Sequence, residues 1–185
     1  MELFINARFL FNNIKGFKYI YFFISFFYLF SFLAYLSKYQ EENIRKMVES
    51  GCKCMPECVE AFGKLQGSSK EFRYVILKFD DKLSKVVLAA TGARDATFED
   101  MMAEVPKDEV RFIFYDCHFK NEEGQDRDKV LFVVWSDDDH APLKQKMLAS
   151  ATSKEVGKKC AKFAQKLEIH EFAELTFDHF VQAFV

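Results

Sequence analysis

Residues 135–147 read WSDDDHAPLKQKM, and the apolar run that feeds them, residues 129–136, reads KVLFVVWS. That run is short, β-branched and aromatic, which predicts a strand buried on both faces. Asp137, Asp138 and Asp139 cannot continue such a strand and mark a turn. The acidic run lacks the Gly and the distal Glu of a calcium loop. Pro142 suits the first turn of a helix, where its missing N–H costs nothing. The pattern predicts a helix opened by Asp139 or His140. Leu143, Met147 and Leu148 lie on one face of it, and Lys144 and Lys146 lie elsewhere. A second helical stretch is expected over residues 153–163, then a short strand over 167–169. A final amphipathic helix is expected over 175–184.

Upstream, residues 56–65 (PECVEAFGKL) place Pro at a helix start, with Val59, Phe62 and Leu65 at helical spacing. Residues 73–79 (RYVILKF) and 85–91 (KVVLAAT) are rich in β-formers and flank a turn at Asp80, Asp81 and Lys82, which predicts a hairpin. Thr97 followed by Asp100 reads as a capped short helix. Residues 110–118 (VRFIFYDCH) form a further strand, joined to the run at 129–136 by a polar turn around Gly124. Alternation of hairpins and helices predicts an α+β fold, a mixed sheet covered by helices.

Net charge is −2, from 26 basic and 28 acidic residues, so there is no global basic field and nucleic acid is not an implied partner. Gly63, Gly67 and Gly92 form no phosphate-cradling loop, and there is no G-x-S-x-G nucleophile elbow. His118, His140, His170 and His179 show no metal-ligand spacing. The five cysteines are odd in number, which argues against a disulfide scaffold and for a reducing compartment. Cys52, Cys54 and Cys58 cluster, but their spacing fits no common zinc pattern. No metal and no cofactor is expected, and nothing points to an enzyme.

Ten of the 23 phenylalanines precede Ser37, so residues 1–46 differ in kind from the rest. Residues 19–37 carry no charge and as a helix would span about 28 Å, close to a bilayer's apolar thickness. Three readings stay open for residues 1–46. One is a transmembrane helix or signal anchor over 19–37. Another is a cleaved secretory signal, although no small-x-small site follows the apolar run. The third is upstream sequence translated in error, with Met47 as the start. Lysines and arginines on both sides leave the orientation undecided.

The stretch 135–147 resembles the signature of the actin-depolymerising factor/cofilin family, in which a Trp-Ser turn leads into Ala-Pro-x-Lys/Arg-x-Lys/Arg-Met. Ala141, Pro142, Lys144, Lys146 and Met147 fit it. Residues 72–76, Arg111 with Asp116, the hairpin through Arg127 and Lys129, and Ser50-Gly51 resemble further family motifs in the same order. The resemblance implies a single ADF-homology domain over residues 47–185, monomeric, with a five-stranded mixed sheet flanked by helices and the N-terminal hydrophobic helix appended. It implies binding to actin monomers through Ser50, Gly51, Lys144, Lys146 and Met147, and to filaments through Arg127 and Lys129. The outcome would be filament severing and depolymerisation in the cytoplasm, at the actin cytoskeleton. Ser50 would be a regulatory phosphorylation site, since added negative charge would repel an acidic partner. Phosphoinositide headgroups would compete for the basic surface. A membrane is a partner only if residues 1–46 are retained, and the domain would then be membrane-anchored.

The chain also departs from the family pattern. Asp137 stands where the family has a proline, and a tyrosine is missing after Leu148. Asp126 and Asp128 dilute the hairpin's basic character, and the last helix lacks basic residues. Weaker severing is expected, and two further readings stay open. One is a relative that binds actin or actin-related assemblies without severing, as coactosin-like and glia-maturation-factor-like proteins do. The other is a membrane-anchored scaffold that uses the domain as a tether.

Overall fold

The computed structural model describes residues 31–40, 42, 51–121 and 123–184. The chain divides between Arg45 and Lys46 into two units. In the first, residues 31–40 are helical. Most of the predicted apolar span, residues 19–30, lies outside the described residues, as do Met47 and Ser50. Among the described residues no helix is long and apolar enough to cross a membrane.

The second unit is built from strict two-residue alternation in its central strands. In β2 (Phe72–Phe79), Val75, Leu77 and Phe79 face one core while Tyr74 and Ile76 face another. In β4 (Arg111–Lys120), Phe112 and Phe114 face the first core, and Ile113, Tyr115 and Cys117 the second. In β5 (Asp126–Trp135), Phe132 and Val134 face the first, and Leu131, Val133 and Trp135 the second. Central strands apolar on both faces need a helical layer on each side. Helices α1 (Pro56–Gln66) and α3 (Leu143–Lys159) cover the first face. Helices α2 (Phe98–Ala103) and α4 (Phe177–Gln182) cover the second.

The sheet is mixed, with order β1-β3-β2-β4-β5-β6. Hairpin β2/β3 (β3, Lys85–Ala93) and hairpin β4/β5 are antiparallel and join through an antiparallel β2–β4 pair. β6 (Gln165–Ile169) adds parallel to β5 after the α3 crossover. The six strands exceed the five expected. The extra one is β1, only Lys53 and Cys54, which pairs parallel with Lys85 and Val86. Two residues carry no periodicity, so the sequence gives no strand signal there.

Two further expectations are corrected. The helix does not open at Asp139 or His140. Pro142 is the N-cap residue and Leu143 the first helical position. Asp137 instead builds a turn ahead of it, its Oδ1 accepting from the N–H groups of Asp139 and His140, both at 2.9 Å. The stretches expected at 143–148 and 153–163 are one continuous helix. Its buried stripe is Leu148, Ala149, Thr152, Ser153 and Val156, so small polar residues do the packing and the apolar period fades mid-helix. The short helix α2 has the expected cap. Thr97 Oγ1 accepts from the Asp100 N–H, and the Asp100 carboxylate accepts from the Thr97 N–H.

Gly92 is required by packing. A Cβ there would lie 2.1 Å from the Tyr74 ring, which crosses directly over it in the β2/β3 ladder.

Candidate functional site

Because α3 packs through small side chains, its outer face is left to large ones. Leu143 is 70% and Met147 51% exposed, and Lys144 is exposed beside them. These three lie at positions i, i+1 and i+4, one ridge of the helix. Lys146 points to another side. Its Nζ donates to the Asp138 carbonyl at 2.7 Å, next to a small cavity lined by Ser136, Glu168 and His170. The two lysines therefore differ: Lys144 is exposed on the ridge, and Lys146 ties the helix start to the acidic turn. Gln145, between them, is turned inward, its Oε1 accepting from the Val110 N–H at 2.9 Å. That contact fixes the helix against the start of β4, a role no sequence signal announces.

The start of the domain reaches the same helix. Gly51 has φ +75°, and a Cβ on it would come within 2.7 Å of the Ala151 carbonyl oxygen. Cys52 follows with its N–H donated to Thr152 Oγ1 at 3.0 Å, fully buried. Only glycine fits a left-handed position so close to backbone. Ala151 is one turn beyond Met147, so Gly51 stands beside the exposed ridge. Gly51, Lys144 and Met147 thus belong to one surface, with Lys146 at its flank. Ser50 lies outside the described residues.

Arg127 and Lys129 are on other ground. In β5 they pair with Phe119 and Cys117 of β4, and so point to the face of the second core, opposite α3. Both are exposed, and Arg127 donates to Gln125 Oε1 at 2.6 Å. The strand begins at Asp126, earlier than expected, and places both basic residues within it.

The intervening acids are engaged on the other side. Asp128 accepts from Lys70 Nζ at 2.7 Å and meets His118 Nδ1 at 2.7 Å. The Lys70 hydrogen bond first, then that to His118, pull its pKa down to about 2. Asp116 is buried at 3% exposure, paired with Arg94 and 3.8 Å from Lys70 Nζ. Arg73 Nη1 donates to the Asp116 backbone carbonyl at 3.2 Å. This network of Lys70, Arg73, Arg94, Asp116 and Asp128 was not foreseen from the sequence, because its members lie on four separate segments. It holds the root of the β4/β5 hairpin. Arg111 and Trp135, also within the family-like motifs, are structural here. Arg111 pairs with Glu109, and the Trp135 indole N–H donates to the Pro106 carbonyl at 2.8 Å.

Among the described residues, the exposed groups of these surfaces are a thioether, an alkyl chain and ammonium or guanidinium groups, suited to contact. Among the described residues no group of three or more His, Cys, Asp or Glu is placed to hold a metal ion.

Comparison with known proteins bears on this arrangement. Residues 51–184 match the family model of cofilin/tropomyosin-type actin-binding proteins. Actin-depolymerizing factor 11 of Oryza sativa subsp. japonica is 40% identical over 111 residues, covering 60% of this chain and 74% of that protein. Cofilin of Cryptococcus neoformans var. neoformans is 33% identical over 133 residues, covering 71% of this chain and 94% of that protein. Among solved structures, that of Streptomyces griseoflavus cofilin superposes with TM-score 0.64 at 22% identity, over 71% of this chain and 96% of that one. At that identity the likeness speaks for the fold alone.

Proposed function

The chain belongs to the cofilin/tropomyosin-type actin-binding protein family, and from that premise we propose that it binds actin monomers and filaments and promotes filament severing and depolymerisation. Its role is binding, not catalysis. The observation that carries the reading is the exposed ridge Leu143, Lys144 and Met147 on α3, with Gly51 held beside it. An apolar, adaptable thioether flanked by ammonium groups suits a groove on an acidic partner. The charges raise the rate of encounter and set orientation. On this reading Gly51, Lys144, Lys146 and Met147, with Ser50 ahead of them, meet the monomer, and Arg127 and Lys129 meet the filament. Ser50 is a site where phosphorylation would weaken binding by repulsion. The same basic groups would receive phosphoinositide headgroups. The domain, residues 47–185, would act as a monomer in the cytoplasm at the actin cytoskeleton.

One observation favours a second reading, binding without severing. Arg127 and Lys129 alternate with Asp126 and Asp128, so the hairpin carries no net basic charge from these four residues.

Filament co-sedimentation tests both. Residues 47–185, the full chain and the Lys144→Ala/Lys146→Ala variant are mixed with filaments, and pelleted and soluble actin are measured. Pelleting with a rise in soluble actin, both lost in the variant, supports the first reading. Pelleting without that rise favours the second, and no binding by either form refutes both.

A further inference from the structure

A cavity of about 330 Å³ opens on the first face of the sheet, beside the loop that follows α3. Leu65, Val130 and Phe163 form its apolar wall, all three packed with the first core. Lys70, Asp116, Asp128 and Lys162 supply its charge. The ridge of Leu143, Lys144 and Met147 lies at the other end of α3, so the cavity is a separate place on the domain. Sites for small molecules have this size and this make-up, an apolar wall with a few placed polar groups.

Two of the charged residues are held in a strained backbone. Among the described residues, three other than glycine are left-handed: Lys70 (φ +41°), Leu83 (φ +54°) and Lys162 (φ +85°). Leu83 belongs to the β2/β3 turn, its N–H donating to the Asp80 carbonyl at 2.9 Å. The two lysines both line the cavity. Lys162 comes two residues after Cys160, which caps α3, where glycine or asparagine is the usual left-handed residue. The Gln66 side-chain amide donates to the Lys162 carbonyl and holds the loop in that shape. Strain that the surroundings impose gathers at ligand sites.

The polar groups divide by what they still lack. Asp128 has its counterions in Lys70 and His118, and Asp116 has Arg94, so neither carboxylate calls for a cation. Arg94 and Lys70 both meet Asp116 at Oδ2, which leaves Oδ1 of this buried side chain without a partner among the described residues. Lys162 is exposed and makes no ion pair among the described residues. Lys70 Nζ has three N–H groups and hydrogen-bonds one carboxylate, that of Asp128. Phe163 is half-buried, its ring 5.2 Å from that of Phe132 between centroids. The cavity thus offers two ammonium groups for a dianion, one acceptor for a hydroxyl and one aromatic ring for a flat base.

We propose that this cavity binds a nucleoside monophosphate. The phosphate lies against Lys162 and Lys70, as point charges suited to it. A ribose hydroxyl donates to Asp116 Oδ1, the role a carboxylate takes in nucleotide sites. The base lies against Phe163, since every base has a π-face for an aromatic ring. Binding is reversible, with no bond made or broken, and it does not rest on the reading of the ridge.

The test is isothermal titration of the full chain with adenosine monophosphate, ribose phosphate, adenosine and inositol trisphosphate. Each of the last three lacks one part: the base, the phosphate or the flat ring. Adenosine monophosphate binds at least about tenfold more tightly than any of them. This comparison uses the unmodified protein, so it does not depend on a variant folding. Lys162→Gly removes the ammonium and relieves the left-handed backbone. It therefore melts at or above the parent and binds adenosine monophosphate at least about tenfold more weakly. Lys144→Ala, on the ridge, leaves that binding unchanged. The proposal is overturned if adenosine monophosphate does not bind at millimolar concentration, if ribose phosphate or inositol trisphosphate binds as tightly, or if Lys162→Gly keeps the parent's affinity.

Discussion

The tie between Cys52 and Thr152 can be measured by one substitution that keeps shape and removes chemistry. Thr152 is fully buried and its Oγ1 accepts the Cys52 N–H at 3.0 Å. Thr152→Val leaves that N–H buried without an acceptor, which costs about 1–3 kcal/mol. Thr152→Ser keeps the acceptor and loses one methyl, at about 0.5–1.5 kcal/mol by analogy with Ile→Val. Unfolding entropy near 2.1 cal/mol/K per residue gives a domain of this size about 0.3 kcal/mol/K. A loss of about 2 kcal/mol therefore lowers Tm by roughly 7 °C for Val, against roughly 2–5 °C for Ser. Two-state thermal unfolding of residues 47–185 followed by circular dichroism reads the order directly. If the start of the domain detaches locally instead, the loss appears as faster hydrogen exchange at the Cys52 amide. On the proposed function, Val also weakens monomer binding more than Ser, because Gly51 is no longer held at the ridge. A Val variant that melts at or above the Ser variant, with unchanged exchange at Cys52, would refute the reasoning.

Four other substitutions report on separate parts of the structure. Gly92→Ala drives a methyl into the Tyr74 ring and should cost about 1–3 kcal/mol as overpacking; a change in denaturation midpoint within error would contradict it. Asp128→Asn removes a carboxylate whose pKa is depressed to about 2 by Lys70 and His118. A depressed pKa contributes stability above the ordinary value and loses it as pH falls toward 2. The variant should thus trail the parent by about 0.5–1 kcal/mol at pH 7, after discounting for solvent screening, with the gap closing near pH 2 in urea titrations. Lys144→Ala should leave Tm unchanged while lowering actin monomer affinity. Lys146→Ala should lose about 0.5–1.5 kcal/mol with the Asp138 carbonyl contact, so equal Tm for the two would contradict their separate roles.

How much of this was legible in sequence follows from which signals are periodic. β2, β4 and β5 announce themselves because alternate residues enter two different cores, and the Thr97 cap because its partner is three residues away. The α3 helix misled, since its buried face is Ala149, Thr152 and Ser153, residue types that carry little hydropathy. β1 has no pattern at two residues, and the Asp116 network joins residues far apart in sequence. The signature Lys144, Lys146 and Met147 was visible as a string, but a string does not tell that Gln145 faces inward or that Lys146 is tied to the turn.

The small-residue packing of α3 bears on the functional surface as well as on prediction. A helix buried through large apolar side chains stands further from its sheet and leaves less room for a strand between helix and solvent. With Ala149, Thr152 and Ser153 inward, the backbone comes close enough for Gly51 to lie against Ala151 and for Cys52 to reach Thr152. The large groups Leu143 and Met147 are then left outside, at a cost in exposed apolar surface that packing within the domain does not repay. On the proposed function a partner covers the ridge, so the ridge, and not the charge-balanced hairpin, is the part of this surface whose removal should abolish binding.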